Sequence, residues 1–429
     1  MKTTIIATGD SFMTRRLPEN GYKGFQEIQK IISEYDVKFN NLEFTVHNKE
    51  GYPAFFSGGT WAMSEPEMLD DLKRFGFNLF NTANNHSHDY SHGGILATIK
   101  YLKERGMTFA GTGENLAAAS APAYIETENS RVALIACSAS GHPSGIAGEQ
   151  SPEMTGRPGL NPLRYSTTFY LEEKYFNSLK ELAKVTDINY ELENEIKNGY
   201  ILPLPEDKLN FGGNNFVLGD ENKMITEPNE VDMKRIIKSI KEAKRQGDYA
   251  LVSIHFHDFI KETNIPPMFM ETFARRCIDE GADAILGHGP HEIQGIEIYK
   301  GKPIFYSLGN FIFQTETVST QPADAYANAK MPYDTTVGEY INKRNNNKTK
   351  GYIVQENIWR TIMAGFTFDD KKLTEIKLYP VTLDMGAPLS KLGRPRIADN
   401  DDVLHYLESL SKPYGTEFEY HKGYATIKL

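Results

Sequence analysis

Short apolar runs typical of β-strands alternate along the chain with amphipathic segments typical of helices. TTIIATG, at residues 3–9, predicts a strand, and VKFNNLEF, at residues 37–44, predicts a second. Between them, GFQEIQKIISEY places Phe25, Ile28, Ile31 and Ile32 at helical spacing. The pattern predicts a βαβ unit at the start of the chain.

The same alternation continues over most of the sequence. Further helices are predicted at 65–76, 93–106, 233–247 and 268–281, and further strands at 78–84, 107–113, 131–140, 249–257 and 282–290. Later segments, 300–313 and 358–384, indicate strands joined by tight turns, with a hairpin at Asp369 and Asp370. We therefore expect an α/β core, with helices outside a largely buried sheet.

Two stretches interrupt this alternation. Residues 143–225 mix Gly and Pro loops with one charged helical segment, and residues 315–352 are polar and rich in Asn and Lys. Insertions of this length in a compact enzyme often act as lids or substrate-binding elements, and surface decoration is the alternative. The rest of the chain is consistent with one domain that spans residues 1–429.

Composition and charge narrow the class of protein. The 429 residues are 40% hydrophobic and carry a formal net charge of −10. Such a chain can bury a sizeable core, and its charge disfavours nucleic acid or an anionic membrane as a partner. Only Cys137 and Cys277 are present, each in an apolar context, so we expect two buried free thiols and no disulfide framework.

No secretory signal or membrane span is evident in the sequence. The first apolar stretch is short and leads directly into the polar motif ATGDSF, whereas a span needs roughly 20 apolar residues. We expect a cytoplasmic protein.

Histidines cluster at the ends of three predicted strands. Seven of the eleven histidines lie in NTANNHSHDYSHGG, SIHFHD and GHGPHE, namely His86, His88, His92, His255, His257, His288 and His291. Asp10 and Glu43 also follow strand-like runs. Because the ends of neighbouring strands meet at one edge of a sheet, these groups are candidates for a shared site that binds metal or moves protons.

The order of the motifs resembles the CapA family of bacterial poly-γ-glutamate capsule synthesis. The resemblance rests on GDSF, NLEF, TANNHSHDYSHGG, GTGEN, SIHFH, GADAILGHGPHEIQGIEIYKGKPIFYSLGNFIF and GRPRIADNDD, and it covers residues from about 4 to 411. This family is similar to calcineurin-type metallophosphoesterases. The resemblance implies a four-layer α-β-β-α sandwich with the two insertions described above.

The resemblance also implies a metal site at the carboxyl ends of the central strands. Asp10 matches the first aspartate of the superfamily, Glu43 stands where a bridging aspartate is usual, and Asn85 with His86 matches the Gly-Asn-His element. His255 matches a lone histidine on a later strand. The implied metal ligands are Asp10, Glu43, Asn85, His255, His288 and His291.

This set of residues suits metal-assisted hydrolysis of a phosphoester, a peptide or a γ-glutamyl amide. Carboxylate oxygens mixed with imidazole nitrogens suit one or two ions of Zn²⁺, Mn²⁺ or Fe. Such ions would activate water and polarise the scissile group. His86, oriented by Asp89, would protonate the leaving group, and His255 and His288 are further candidates for catalysis.

Three departures from the superfamily pattern leave alternatives open. Phe12 stands where a histidine ligand is usual, Glu43 is longer than aspartate, and Gly289 and Pro290 separate His288 from His291 where one residue is usual. The site could then hold one metal or none. A metal-free set of imidazoles and carboxylates can still transfer protons. The resemblance to CapA-like proteins then implies a cofactor-independent peptide epimerase, with His86, His255, His288 and Glu43 as candidate acid and base groups. A non-catalytic subunit of a polymer-synthesis complex is a third possibility.

Three residues are candidates for binding a small-molecule or peptide substrate. Arg157 and Arg164 could each clamp a carboxylate or phosphate, with a surface salt bridge as the alternative. Asn310, next to Gly309, could line the pocket, although a tight turn in the core explains this segment equally well. His257 alternates with His255, so we expect it on the opposite face unless the strand has already ended. The sequence gives no oligomeric state.

Overall fold

The computed structural model describes residues 2–429 and contains eleven α-helices in that range. They are α1 (Phe25–Ser33), α2 (Met68–Phe75), α3 (Ser91–Glu104), α4 (Leu116–Ser120), α5 (Glu173–Thr186), α6 (Tyr190–Lys197), α7 (Glu230–Gln246), α8 (Met268–Asp279), α9 (Ala323–Asn328), α10 (Val337–Arg344) and α11 (Asp402–Ser411). Five of these helices, α1, α2, α3, α7 and α8, lie where the apolar periodicity predicts them.

The strands also follow the predicted order. They are β1 (Lys2–Phe12), β2 (Val37–Leu42), β3 (Thr45–Val46), β4 (Met63–Ser64), β5 (Leu79–Asn81), β6 (Thr108–Ala110), β7 (Thr112–Gly113), β8 (Ala123–Glu126), β9 (Arg131–Ser138), β10 (Gly159–Leu160), β11 (Tyr165–Leu171), β12 (Lys208–Phe211), β13 (Asn214–Leu218), β14 (Lys223–Pro228), β15 (Tyr249–His255), β16 (Ala284–His288), β17 (Ile296–Tyr299), β18 (Lys302–Phe305), β19 (Asn310–Phe313), β20 (Arg360–Asp369), β21 (Lys372–Thr382), β22 (Arg396–Ile397), β23 (Phe418–His421) and β24 (Tyr424–Ile427). The predicted hairpin joins β20 to β21, which pair antiparallel.

Two large mixed sheets organise the protein. The ten-stranded sheet has the order β23-β24-β21-β20-β1-β2-β5-β6, with β19 paired to β1 and β22 to β21. The six-stranded sheet has the order β17-β18-β16-β15-β9-β8. Each sheet contains a run of parallel strands, as in β1 with β2 and β15 with β16, whereas β20 pairs antiparallel with β1 in the ten-stranded sheet. The mixed α/β class is confirmed.

Apolar side chains from both large sheets meet in a shared core. Ile5 and Phe39 of the ten-stranded sheet contribute to the same cluster as Leu134 and Leu286 of the six-stranded sheet. Ile6 belongs instead to a second core, with α1 and α2, because neighbouring residues of a strand point to opposite faces. A third core lies between the six-stranded sheet and helices α7 and α8. Cys137 and Cys277 are buried there as free thiols, as predicted.

The first insertion contains more regular structure than expected. In place of one helix among loops, it has α5 and α6, which are separated by Asp187 in a left-handed conformation (φ 49°), and a four-stranded sheet of order β12-β13-β11-β14. The sheet was missed because its strands are short and half-exposed, as in Asn214–Leu218, and therefore lack a long apolar run.

The second insertion is anchored by aromatic side chains. Tyr326 of α9 and Tyr340 of α10 pack with Trp61 and Tyr90 in a small buried cluster. Despite its polar composition, this insertion is therefore attached to the body of the protein beside the histidine-rich loop. Within residues 2–429, no helix combines the length and the apolar character needed to cross a lipid bilayer.

Candidate functional site

Strand register brings the predicted polar residues to one buried site. Asp10 of β1 is in register with Asn41 of β2 and with Asn310 of β19. In the other large sheet, His255 at the end of β15 is in register with His288 at the end of β16. The carboxyl ends of parallel strands from the two sheets therefore meet at this site.

Asp10 lies at the centre of the site and is fully buried. Its Oδ1 accepts a hydrogen bond from Asn41 Nδ2 at 2.6 Å, and its Oδ2 accepts one from the Gly289 amide at 3.0 Å. The Nδ1 atoms of His288 and His291 are each 3.5 Å from this carboxylate. Burial raises the pKa of Asp10, but the contact with His291 and the charge of His288 outweigh it and lower that pKa overall.

Glu43 is also fully buried, yet neither carboxylate oxygen has a hydrogen-bond partner among residues 2–429. Burial, and next the charge of Asp10, raises the pKa of Glu43 well above its ordinary value. The nearest nitrogens are Nε2 of His255 at 3.7 Å and Nε2 of His291 at 3.6 Å. Burying a carboxyl group without a hydrogen-bond partner costs free energy, so the two unpaired oxygens of Glu43 indicate that another group binds to them.

Three imidazoles, of which those of His255 and His288 are fully buried and that of His257 is half-buried, form a chain of contacts beside Asp10. His255 Nδ1 is 2.9 Å from His288 Nδ1, and His255 Nε2 is 3.1 Å from His257 Nε2. Burial lowers the pKa of His288 to about 4 and that of His257 to about 3. Burial and the charge of His257 likewise hold the pKa of His255 well below its usual range. Neutral imidazoles of this kind are the form that binds metal.

The donor atoms fit a divalent metal ion in three overlapping groups. Within each group the ligand atoms lie within 4.8 Å of one another. The groups are Asp10 with His255 and His288, Glu43 with His255 and His257, and Asp10 with Glu43 and His291. Because a neutral imidazole has one free lone pair, His255 can serve the first group through Nδ1 or the second through Nε2.

Hydrogen bonds orient two of the candidate ligands. Ser253 Oγ lies 2.7 Å from His288 Nε2, which leaves Nδ1 of that ring to face Asp10. Asn310 Oδ1 lies 2.8 Å from His291 Nδ1, and Asn310 Nδ2 donates to the carbonyl oxygens of His291 and Ile358. Asn310 is fully buried, so its contacts are those of a residue that positions His291, and this differs from the substrate contact expected from the sequence.

The predicted His86–Asp89 pair is present. His86 Nδ1 is 2.7 Å from Asp89 Oδ2, and the same carboxylate accepts hydrogen bonds from the amides of Gly58 and Ala62. Asn85 donates through Nδ2 to Gly58 O at 2.7 Å, while its Oδ1 is buried without a partner among residues 2–429. Phe12, which stands where the superfamily has a histidine, packs with its ring centroid 5.2 Å from that of His86.

The two arginines have different surroundings. The guanidinium of Arg164 forms a bidentate pair with Asp232, with N–O distances of 2.8 and 2.9 Å. Arg164 thus forms the salt bridge that was the alternative to substrate binding, and its guanidinium has few N–H groups left to bind a substrate carboxylate. Arg157 is exposed, its Nε donates to Ile146 O, and it forms no ion pair within the part of the chain that the structure describes. Its role in substrate binding stays a prediction.

Two residues of the site were missed by the sequence pattern, and the position of a third, His257, depends on where β15 ends. The strand ends at His255, so the exception to the opposite-face expectation applies and His257 reaches the site. Asn41 and Ser253 were not singled out: Asn41 adjoins a second asparagine in VKFNNL, and Ser253 is a small polar residue in YALVSIH. The signal available for Ser253 is a polar residue that precedes a candidate histidine by two positions in an otherwise largely apolar strand.

Comparisons with known proteins agree with the resemblance seen in the sequence. The family model described as "Bacterial capsule synthesis protein PGA_cap" matches residues 4–315. An uncharacterized protein, y4sH, of Sinorhizobium fredii is 32% identical over 99% of this chain and 93% of its own length. The capsule biosynthesis protein CapA of Bacillus anthracis is 25% identical over 73% of this chain and 60% of its own length.

A shorter match involves the PGA biosynthesis protein CapA of Bacillus subtilis. It is 43% identical over 19% of this chain and 21% of that protein. The family match covers the part of the chain that contains the candidate site residues Asp10, Glu43, His86, His255 and His288. The chain belongs to the bacterial capsule synthesis protein family PGA_cap, the CapA family of the metallophosphoesterase-like superfamily.

Proposed function

We propose that this protein is a metal-assisted hydrolase of a phosphoester, a peptide or a γ-glutamyl amide. The observation that carries the proposal is the buried carboxyl group of Glu43, whose two oxygens lack partners among residues 2–429 and face candidate ligands of two metal groups. The four-layer α-β-β-α arrangement of metallophosphoesterases is part of the proposal. Its support is the shared core between the large sheets and the helical cores on their outer faces.

Asp10, His255 and His288 would hold one divalent ion, and Asp10, Glu43 and His291 would hold a second. A bound Zn²⁺, Mn²⁺ or Fe ion supplies a Lewis acid and activates water near neutral pH. Asn85 is a further candidate ligand because its Oδ1 is buried and unpaired within residues 2–429.

The protein's own groups would orient these ligands and supply a proton. Ser253 fixes the ring of His288, and Asn310 fixes that of His291. The Asp89 carboxylate accepts the Nδ1 proton of His86, so His86 can carry a second proton on Nε2 and give it to a leaving group.

Hydrolysis of bis(p-nitrophenyl) phosphate and of γ-glutamyl-p-nitroanilide tests the proposal. The protein is stripped with chelator and then reconstituted with Zn²⁺, Mn²⁺ or Fe²⁺. We expect hydrolysis of at least one substrate that depends on metal and is lost in Glu43→Gln. No metal-dependent activity on either substrate would count against the proposal.

A cofactor-independent peptide epimerase is the second candidate. The specific observation is that His255, His257 and His288 have lowered pKa values while that of Glu43 is raised, which places neutral bases beside a protonated acid. Such a pair suits removal and return of a proton at carbon. Deuterium uptake from D₂O into a peptide, lost in His86→Ala, would identify it. A non-catalytic subunit would tolerate His86→Ala in the cell.

A further inference from the structure

A cavity of about 480 Å³ lies beside the candidate site, between the loop at residues 52–61 and the second insertion. Phe55, Phe56 and Trp61 line it from the loop, and Lys343 and Arg344 line it from α10. Its volume is within the range of pockets that enclose small organic ligands.

The charge of this cavity is opposite to that of the whole protein. Lys343, Arg344 and Lys350 line it, and none of its lining residues is acidic, although the chain carries a net charge of −10. Arg344 and Lys350 form no ion pair within residues 2–429, and Lys343 Nζ contacts only the backbone oxygen of Lys330, at 3.4 Å. Three cations without a carboxylate between them repel one another and favour an anionic occupant.

Aromatic side chains face the same cavity. Phe55 is 76% exposed and Phe56 is 51% exposed, and their rings form an edge-to-face pair with centroids 4.9 Å apart. Trp61 is buried behind them and donates through Nε1 to Ala54 O. Two adjacent exposed phenylalanines leave apolar area in water that a ligand could cover.

Residues in two parts of the cavity wall connect it with groups of the candidate site. Gly58, which lies between cavity-lining residues, donates its amide to Asp89 and accepts from Asn85, so the cavity wall also holds the His86–Asp89 pair. Arg344 lines a second cavity, of about 190 Å³, together with Tyr352. The Tyr352 ring centroid lies 5.4 Å from that of His291.

Glu316 is the one acidic residue near Arg344 in this second cavity. Its Oε2 already accepts a hydrogen bond from Asn345 Nδ2 at 2.7 Å, and it forms no ion pair with Arg344. The guanidinium of Arg344 therefore keeps its hydrogen-bonding capacity for a ligand that spans the two cavities.

We infer that this cavity selects the substrate, an anionic organic molecule that carries an aromatic or other large apolar group beside a phosphate or a carboxylate. Arg344 and Lys350 hold the anion near Tyr352, and Phe55 and Phe56 cover the apolar group. That the ligand is a substrate rests on the proposed function, but binding of the ligand to the cavity does not require metal.

Calorimetric titration of the metal-free full-length protein tests this inference. The probes are phenyl phosphate, N-acetyl-L-phenylalanine and the uncharged N-acetyl-L-phenylalanine amide. We expect at least one of the two anions to bind at least tenfold more tightly than the amide. The double variant Arg344→Gln/Lys350→Gln should lose that preference, and Phe56→Ser should weaken all the probes that bind.

The matched control is Lys184→Gln/Lys197→Gln, which removes the same charge from exposed positions on α5 and α6. It should bind the anions as the wild type does. Equal affinity for the acid and the amide, no binding of either anion, or the same loss in both double variants would overturn the inference. Preference for phenyl phosphate would identify phosphoesters, and preference for the carboxylate would identify peptides. Because the protein is metal-free, a failure of the metal proposal leaves this result unaffected.

Discussion

Asp10 and Glu43 are two buried carboxyl groups of the same site whose surroundings make them chemically different. Asp10 receives hydrogen bonds from Asn41 and Gly289, which favour its charged form. Glu43 has no donor among residues 2–429, so burial raises its pKa. At the scale of single residues, hydrogen bonding and not residue type therefore accounts for the difference: Asp10 is held in its charged form, whereas Glu43 keeps both oxygens available for a ligand.

Asp89→Asn tests whether Asp89 orients His86. Asparagine keeps the size of the side chain but removes the anionic acceptor of His86 Nδ1. We expect metal-dependent hydrolysis to fall by about 10²-fold or more, with metal content and melting temperature close to those of the wild type. An unchanged rate would contradict the assigned pairing.

Asn310→Ala tests whether Asn310 positions His291. Loss of this contact should lower metal affinity by about 10–100-fold, a typical effect of removing a hydrogen-bond partner of a ligand. The control is Asn161→Ala, another fully buried asparagine, whose side chain contacts Ala136 O and Arg235. Competition with a fluorescent chelator measures both affinities, and an equal loss in the two variants would indicate a general effect on folding.

At the scale of elements, the ends of strands decide which side chains reach the site. Periodicity predicted β1, β2, β15 and β16 and so placed Asp10, Glu43, His255 and His288 near one edge. It could not predict that β15 ends at His255, which brings His257 to the same side. Long-range pairing of β1 with β19 also has no local signal, so the contact of Asn310 with His291 was not predictable from its neighbours in sequence.

Gly289→Ala tests the tight turn that follows β16. Gly289 has φ 116°, and an added Cβ would lie 2.2 Å from the backbone oxygen of Phe256. We expect a loss in the free energy of unfolding of roughly 3 kcal/mol or more. Gly301→Ala is the control, since Gly301 also has positive φ (73°) but no atom within 4 Å of the added Cβ, and it should lose only about 1 kcal/mol. Chemical denaturation measures both, and equal losses would contradict this account of the turn.

At the scale of the whole molecule, two large sheets share one core and place the polar strand ends together. The alternation of strands and helices predicted this α/β class, and the order of motifs predicted the family. The four-stranded sheet of the first insertion escaped prediction because its strands are short and half-exposed. The composition of the second insertion is typical of a polar loop, yet Tyr326 and Tyr340 anchor it beside the site.

Buried histidines should make the metal-free protein sensitive to acid. Burial lowers the pKa of His47 to about 4 in the folded protein. As pH falls, His47 is therefore protonated near pH 6.5 in the unfolded chain but only near pH 4 in the folded protein. Stability therefore falls as pH falls across that window. Within that window, His47→Gln should reduce the slope of the free energy of unfolding against pH by about 1.4 kcal/mol per pH unit, the contribution of one proton. Urea denaturation at several pH values measures it, and an identical slope in the variant would contradict the lowered pKa.

Elemental analysis of protein purified without chelator tests the central claim most directly. The account predicts at least one equivalent of Zn, Mn or Fe per chain, and less than about a tenth of that amount in Asp10→Asn, because Asp10 belongs to two of the three ligand groups. Asp279→Asn, which changes an exposed carboxylate paired with Lys300, should keep the wild-type content. A folded wild-type protein that holds no metal, even after reconstitution, would contradict the account.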